Sequence, residues 1–305
     1  MSSVTTTTQI DHSRLHSSKP SFFGELRGEM FKISRRWMTW ILLVPLLGAI
    51  TMLHLLRVTD AGLKDLINHE QLKFYYDLVT QSFSMLRAFG GIYLIILTAY
   101  VFGLEFQYGT IRVLLSRGVG RVQLLLAKLS SLILISVLVV VLGALYLGAL
   151  TVILTLIATG SLNALNVLTP EFWQNIGIYV LTLLFNMVVT ILMATAMCAL
   201  TRSLAMGLTI ALMWFPVDNI GSIFMQLGYK LTHNNFWLDA TKYFLGPNLN
   251  VMASLILPAK LGIYALGAEP LSKVDGTHTL WVAGIYGAIF LVMALLLTWK
   301  RDVKE

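Results

Sequence analysis

Residues 105–121 read EFQYGTIRVLLSRGVGR. The stretch holds the carboxylate Glu105, the three arginines Arg112, Arg117 and Arg121, a Gly109–Thr110 step and a Gly118–Val119–Gly120 step. Long apolar runs stand on both sides of it, at 88–104 and 129–157. A basic loop between two segments suited to lipid marks the turn of a membrane hairpin, and the rest of the chain can be read outward from it. A hydrocarbon core needs about 20 mostly apolar residues per helix. Four further runs qualify, at 38–56, 176–200, 204–227 and 279–299. The run at 129–157 belongs to a stretch with no charged residue from Leu129 to Pro170, so its helix must tilt, bend or project beyond the bilayer.

Composition agrees. Of 305 residues 57% are hydrophobic and 12% charged, with mean hydropathy +0.77. Soluble domains carry roughly 25% charged residues. The expected fold is an all-α integral membrane protein with six transmembrane helices. Residues 1–20 are polar and Ser/Thr-rich without the apolar core of a signal peptide, and read as a disordered cytoplasmic tail. The six-span domain then runs over 38–299, with a second cytoplasmic tail at 300–305.

The net charge of +7 is a topology signal. With the N-terminus inside, segments 1–37, 105–128, the turn at Arg202 and 300–305 are cytoplasmic and hold 14 of the 22 Lys and Arg. The longer segments placed outside, 57–87, 158–175 and 228–278, hold the other 8. Lys and Arg concentrate on the cytoplasmic face, so both termini are expected inside and no nucleic-acid partner is implied.

Ahead of the first span, over 21–37, Phe22, Leu26, Met30, Ile33 and Trp37 form one helical stripe. Glu25, Arg27, Glu29, Lys32, Arg35 and Arg36 occupy the other faces. This predicts an amphipathic helix lying on the inner leaflet, with lipid as its partner. The loop itself stays apolar at Ile111, Val113, Leu114, Leu115 and Val119, whereas a purely solvated loop should be polar. Ile111, Leu114 and Leu115 at i, i+3, i+4 predict a short amphipathic helix with a basic rim.

EFQYGTIRVLLSRGVGRVQLLLAK, residues 105–128, resembles the signature of ABC-2-type transporter permeases. The matching positions are Glu105, Gly109, Thr110, Leu114, Leu115, Arg117, Arg121 and Lys128; Gly118 departs, standing where the family often has Pro. The resemblance implies that the loop is a coupling helix docking in a groove of a separate ATP-hydrolysing subunit. It further implies an ATP-driven transporter, an exporter, in a bacterial or archaeal plasma membrane. One permease unit then supplies half of a pathway, so a second permease copy or a paralogue is the expected partner. The coupling set is Glu105, Gly109, Thr110, Arg112, Leu114, Leu115, Arg117 and Arg121.

The chain has no G-x-x-x-x-G-K-[ST] phosphate loop. It is therefore expected not to be an enzyme and to hold no cofactor, with ATP and Mg bound by the partner ATPase. The six histidines have no ligand spacing, and the single Cys198 lies in an apolar run, so no catalytic or metal site is expected. A secondary transporter would show inverted repeats and paired intramembrane acids, and a membrane enzyme converging nucleophiles or ligands; neither pattern is present.

Polar groups within apolar spans mark candidate pathway residues. These are Asn186 in the fourth span, and Asp218 and Asn219 after Pro216 in the fifth, where the proline is expected to bend or end the helix. The segment 228–278 is too long and apolar for a simple loop and is expected to form short outer helices before the last span. Small-residue pairs at Ala144/Gly148, Gly207/Ala211 and Gly284/Ala288 are candidate packing points.

Overall fold

A computed structural model describes residues 21–59, 62–108, 120–258, 261, 263 and 266–300. Both tails and residues 109–119 lie outside the described residues, and with them Gly109, Thr110, Arg112, Leu114, Leu115 and Arg117. Within the described residues the chain is helical and contains no strand. Among the described residues six helical segments are long and apolar enough to cross a membrane: Trp37–Val58, Gln71–Glu105, Arg121–Thr159, Pro170–Thr201, Leu204–Thr232 and Gly276–Trp299.

In chain order, α1 is Phe22–Ser34, α2 is Trp37–Ile41 and α3 is Leu43–Val58, with α2 and α3 together making the first span. A short α4, Leu63–His69, leads into α5, Gln71–Gln107. The helix α6, Arg121–Thr159, is 39 residues long. The helices α7, Pro170–Thr201, and α8, Leu204–Thr232, are separated only by Arg202 and Ser203. Short helices α9, Phe236–Ala240, and α10, Leu245–Ile256, precede the last span, α11, Gly276–Lys300.

The helices start and stop for local reasons. Pro45 sits in the first turn of α3, where the backbone N–H groups have no intrahelical partner to lose. Thr169 caps α7 by accepting from the Phe172 N–H, and Pro170 follows it at the first helical position. Gly160 ends α6 in the left-handed region at φ 71°. Arg202 ends α7 in the same region, and Ser203 at once caps α8 through the Met206 N–H.

Three expectations are corrected. The second and third spans begin at Gln71 and Arg121, well before 88 and 129. Residues 71–87 carry charges yet bury Phe74, Tyr75, Leu78, Phe83 and Leu86 against neighbouring helices, so this part of the chain is helix packed on helix. Pro216 does not end α8, which runs unbroken to Thr232. Of the small-residue pairs, Gly207/Ala211 is buried at a helix contact. A Cβ on Gly207 would lie 2.7 Å from Cys198 Sγ and 2.9 Å from its Cα, whereas Gly148 and Gly284 face open space.

The helices α5 and α7 form the centre, packed on each other and on α3, α6, α8 and α11. Hydrogen bonds cross between spans where side chains are buried: Tyr75 with Thr155, Ser84 with Tyr179, and Asn175 with Tyr76. Such bonds satisfy polar groups that lipid cannot. At one end of the bundle, the loop end, Arg36 donates to the Tyr100 carbonyl and Arg121 to the Trp299 carbonyl. The N-terminal helices and the C-terminal end of α11 thus gather where α5 and α6 flank residues 109–119. At the opposite end, α9 and α10 pack over α8 and α11.

Candidate functional site

Four charged side chains meet at the loop end. Lys128 lies two turns into α6, Glu105 in the last turns of α5, and Glu29 and Lys32 one turn apart on α1. Lys128 Nζ is 2.7 Å from Glu105 Oε1 and 2.9 Å from Glu29 Oε2. Lys32 Nζ closes the ring at 2.7 Å from Glu29 Oε1 and 3.6 Å from Glu105 Oε1. Lys128 also stands 5.9 Å from the Phe102 ring centroid, within cation–π range. The two carboxylates balance the two ammoniums, which is the condition for burying charge at all.

Lys128 and Glu29 are each 2% exposed and Glu105 is 8% exposed, so three separate helices are fastened to one another through desolvated ions. Burial works against ionisation of Glu29, but the ammoniums of Lys128 and Lys32 outweigh it and hold its carboxyl below the usual carboxylate range. Lys32 is likewise penalised by burial, but Glu29 and Glu105 raise it above the ordinary lysine range. Glu105 Oε2 is buried with no hydrogen-bond partner among the described residues.

This placement changes the reading of α1. Of the predicted stripe, Met30 and Ile33 pack on the core, whereas Trp37 lies beyond α1 and is exposed, and Glu29 turns inward with Ile33 instead of facing solvent. Phe23, Phe31, Trp37 and Trp40 are exposed, an aromatic set suited to a membrane interface. Glu105, grouped in the sequence with the docking loop, also faces inward. Arg121 opens α6 and donates to the Trp299 carbonyl at 3.2 Å, at the C-terminal end of α11 where a cation is favoured. The cluster was half visible beforehand: Lys128 inside LLLAKLSS demands a counter-charge, but sequence gives no pointer to Glu29, 99 residues away.

The three pathway candidates separate. Asn186, on α7, and Asn219, on α8, line a cavity of about 450 Å³ among α5, α7, α8 and α10. Asn186 is 4% exposed; its amide donates to the Thr182 carbonyl at 3.0 Å, and its Oδ1 has no partner among the described residues. Asn219 Oδ1 accepts from the Ala268 N–H at 3.1 Å and faces Asn250 Nδ2 at 3.4 Å. Asp218 does not line the cavity: its Oδ2 accepts from the Gly246 N–H at 2.8 Å, placing a carboxylate at the positive N-terminus of α10. Sequence reasoning missed Arg87, which it had placed in an outer loop. Arg87 lies within α5, lines the same cavity and donates to Asn250 Oδ1 at 3.0 Å and the Leu266 carbonyl at 2.7 Å. No group of His, Cys, Asp or Glu able to hold a metal occurs among the described residues.

Comparison with known proteins follows the same segments. The sequence model of a family described as ABC-2 family transporter protein matches residues 26–218, from α1 through the first half of α8. All four charged residues of the cluster lie within the match. The chain is also similar to a protein of Bacillus subtilis (strain 168) described as uncharacterized protein YhcI, at 25% identity over 224 residues. That alignment covers 70% of this chain and 64% of the relative, so less than two thirds of the relative's length is spanned.

Proposed function

Because the chain belongs to the ABC-2 transporter family, we propose that it is the membrane-spanning permease subunit of an ATP-driven exporter, coupled to a separate ATPase subunit through the loop 105–121. The observation that supports this most is the buried cluster of Glu29, Lys32, Glu105 and Lys128, which fastens both flanks of the loop to α1. A loop held only for topology needs no such fastening. A loop that receives mechanical force does, because motion at its tip must reach the spans without being lost in independent helix movements.

In this reading Glu105 holds the loop to the bundle, while Arg112, Leu114, Leu115 and Arg117 meet the ATPase. Arg121, with Gly109 and Thr110, forms the flanks. ATP and Mg are bound by the partner. The permease acts as a pair, with itself or a paralogue, in a bacterial or archaeal plasma membrane, and the loop end faces the cytoplasm. Asn186 and Asn219 belong to the substrate route.

Burial of a leucine side chain contributes roughly 1.5–3 kcal/mol. Leu114→Asp and Leu115→Asp should therefore release the ATPase, while the spans, which do not contain these residues, still insert. Co-purification of the ATPase from membranes reads this directly. Normal association and normal transport in both variants would overturn the coupling function.

A further inference from the structure

The cavity bounded by α5, α7, α8 and α10 has the construction of a binding site. Its volume of about 450 Å³ falls in the range of small-molecule sites, roughly 300–1,000 Å³. Much of its wall is apolar, from Ile92, Ile95, Met187, Leu212, Phe215 and Leu249. A packing void would be apolar throughout and stay dry. Here Arg87, Asn186, Asn219 and Asn250 converge on the same space.

Two of these groups are incompletely answered by the protein. Arg87 bonds only neutral acceptors, Asn250 Oδ1 and the Leu266 carbonyl, and no carboxylate pairs with it among the described residues. Its charge is therefore unbalanced beside an apolar chamber, a position that favours an anion. The buried Asn186 Oδ1 lacks a donor. A ligand that fits must bring negative charge to Arg87, an O–H or N–H to Asn186 and an apolar body to the remaining wall. Ile92 and Pro216, both exposed, lie on the lining, so the cavity opens sideways at the surface of the bundle.

We propose that this cavity binds an amphipathic anion, a phosphate- or carboxylate-bearing headgroup with a hydroxyl or amide donor and an apolar chain that leaves through the open side into lipid. Its role as the cargo site rests on the permease function proposed above; binding itself does not.

The test uses the purified chain in a neutral maltoside detergent without any ATPase subunit. The probe is lysophosphatidylglycerol with a twelve-carbon chain, titrated calorimetrically; lysophosphatidylcholine of equal chain length and glycerol phosphate are the comparison ligands. The first should bind saturably and the other two at least about tenfold more weakly, as loss of a charge-assisted bond or of apolar contact requires. Arg87→Gln should weaken binding by a similar factor. Gly91→Leu offers a second variant: Gly91 lines the cavity and a Cβ there meets nothing within 4 Å, so the side chain fills the space and leaves Arg87 in place. Gly91→Leu should abolish binding. Unchanged binding in both variants, equal binding of the zwitterionic lipid, or equal binding of glycerol phosphate each overturns the proposal. Because no ATPase is present, such a failure removes the site and leaves the coupling function standing.

Discussion

Lys128 holds two carboxylates from different helices on a single ammonium, and the energetics of the cluster centre on it. Removing one member of a buried ion pair leaves the remaining charge desolvated and costs about 3–5 kcal/mol. Lys128→Met should destabilise the protein by that order, read as a large fall in thermal midpoint in detergent. The triple variant Glu29→Gln/Glu105→Gln/Lys128→Met removes the three buried charges together and leaves only the part-exposed Lys32, so it should recover most of the loss; no recovery would mean that Lys128 acts through packing. The depressed carboxyl of Glu29 also sets a pH dependence. Its stabilising contribution is complete above its undocked pKa, about 4.3, and is lost as pH falls through the lower docked value. A spin label on exposed Phe31→Cys should stay immobile from pH 7 to about 5 and loosen below about 4.3. With Glu29→Gln the label should show no acid transition. Here the sequence was a partial guide: helical periodicity located the core-facing Met30 and Ile33 of α1 but not the exposed Trp37, and it cannot distinguish a solvated glutamate from one turned toward a lysine on another helix.

Among the elements, the number of spans followed from hydropathy because a bilayer imposes one length on every apolar run. Their ends did not. The polar residues of 71–87 lowered the apolar signal of a segment that is buried by neighbouring helices, and this concealed both the start of α5 and the inward position of Arg87. The fifth span shows the converse, since a proline within it signalled a break that the continuous helix does not have. Gly207 was the small residue whose packing role the structure upholds, because α7 and α8 meet there with Cys198 directly opposite. Gly207→Leu brings a side chain into backbone 2.9 Å away and should splay the hairpin. Overpacking of this kind typically costs 1–3 kcal/mol. Accessibility of Cys198 to a membrane-permeant maleimide measures it, since the thiol is buried in the wild type; an unreactive thiol in the variant would show that the hairpin accommodates the chain.

Across the whole molecule coverage is uneven. Half or more of the most apolar window is buried in the second and fourth spans, against 11% in Leu204–Thr232 and 17% in Trp37–Val58. If the permease works as a pair, the fifth span is the element with most surface left to give. In a Cys198→Ala background, Met213→Cys or Val217→Cys, both exposed on α8, should crosslink between copies in an active preparation. Capture of monomers alone would oppose pairing through this helix. The uneven coverage also bears on biosynthesis. The α8 segment carries Asp218 into the apolar phase, and an aspartate at a helix centre opposes insertion by about 2.5–3.5 kcal/mol. The N–H group that finally receives this carboxylate belongs to Gly246, translated 28 residues later. Meanwhile only Arg202 and Ser203 separate the segment from the strongly apolar α7. We infer that the nascent chain delivers the two helices to lipid as one hairpin, with the fourth span carrying the fifth until the ribosome has supplied the N–H that Asp218 accepts.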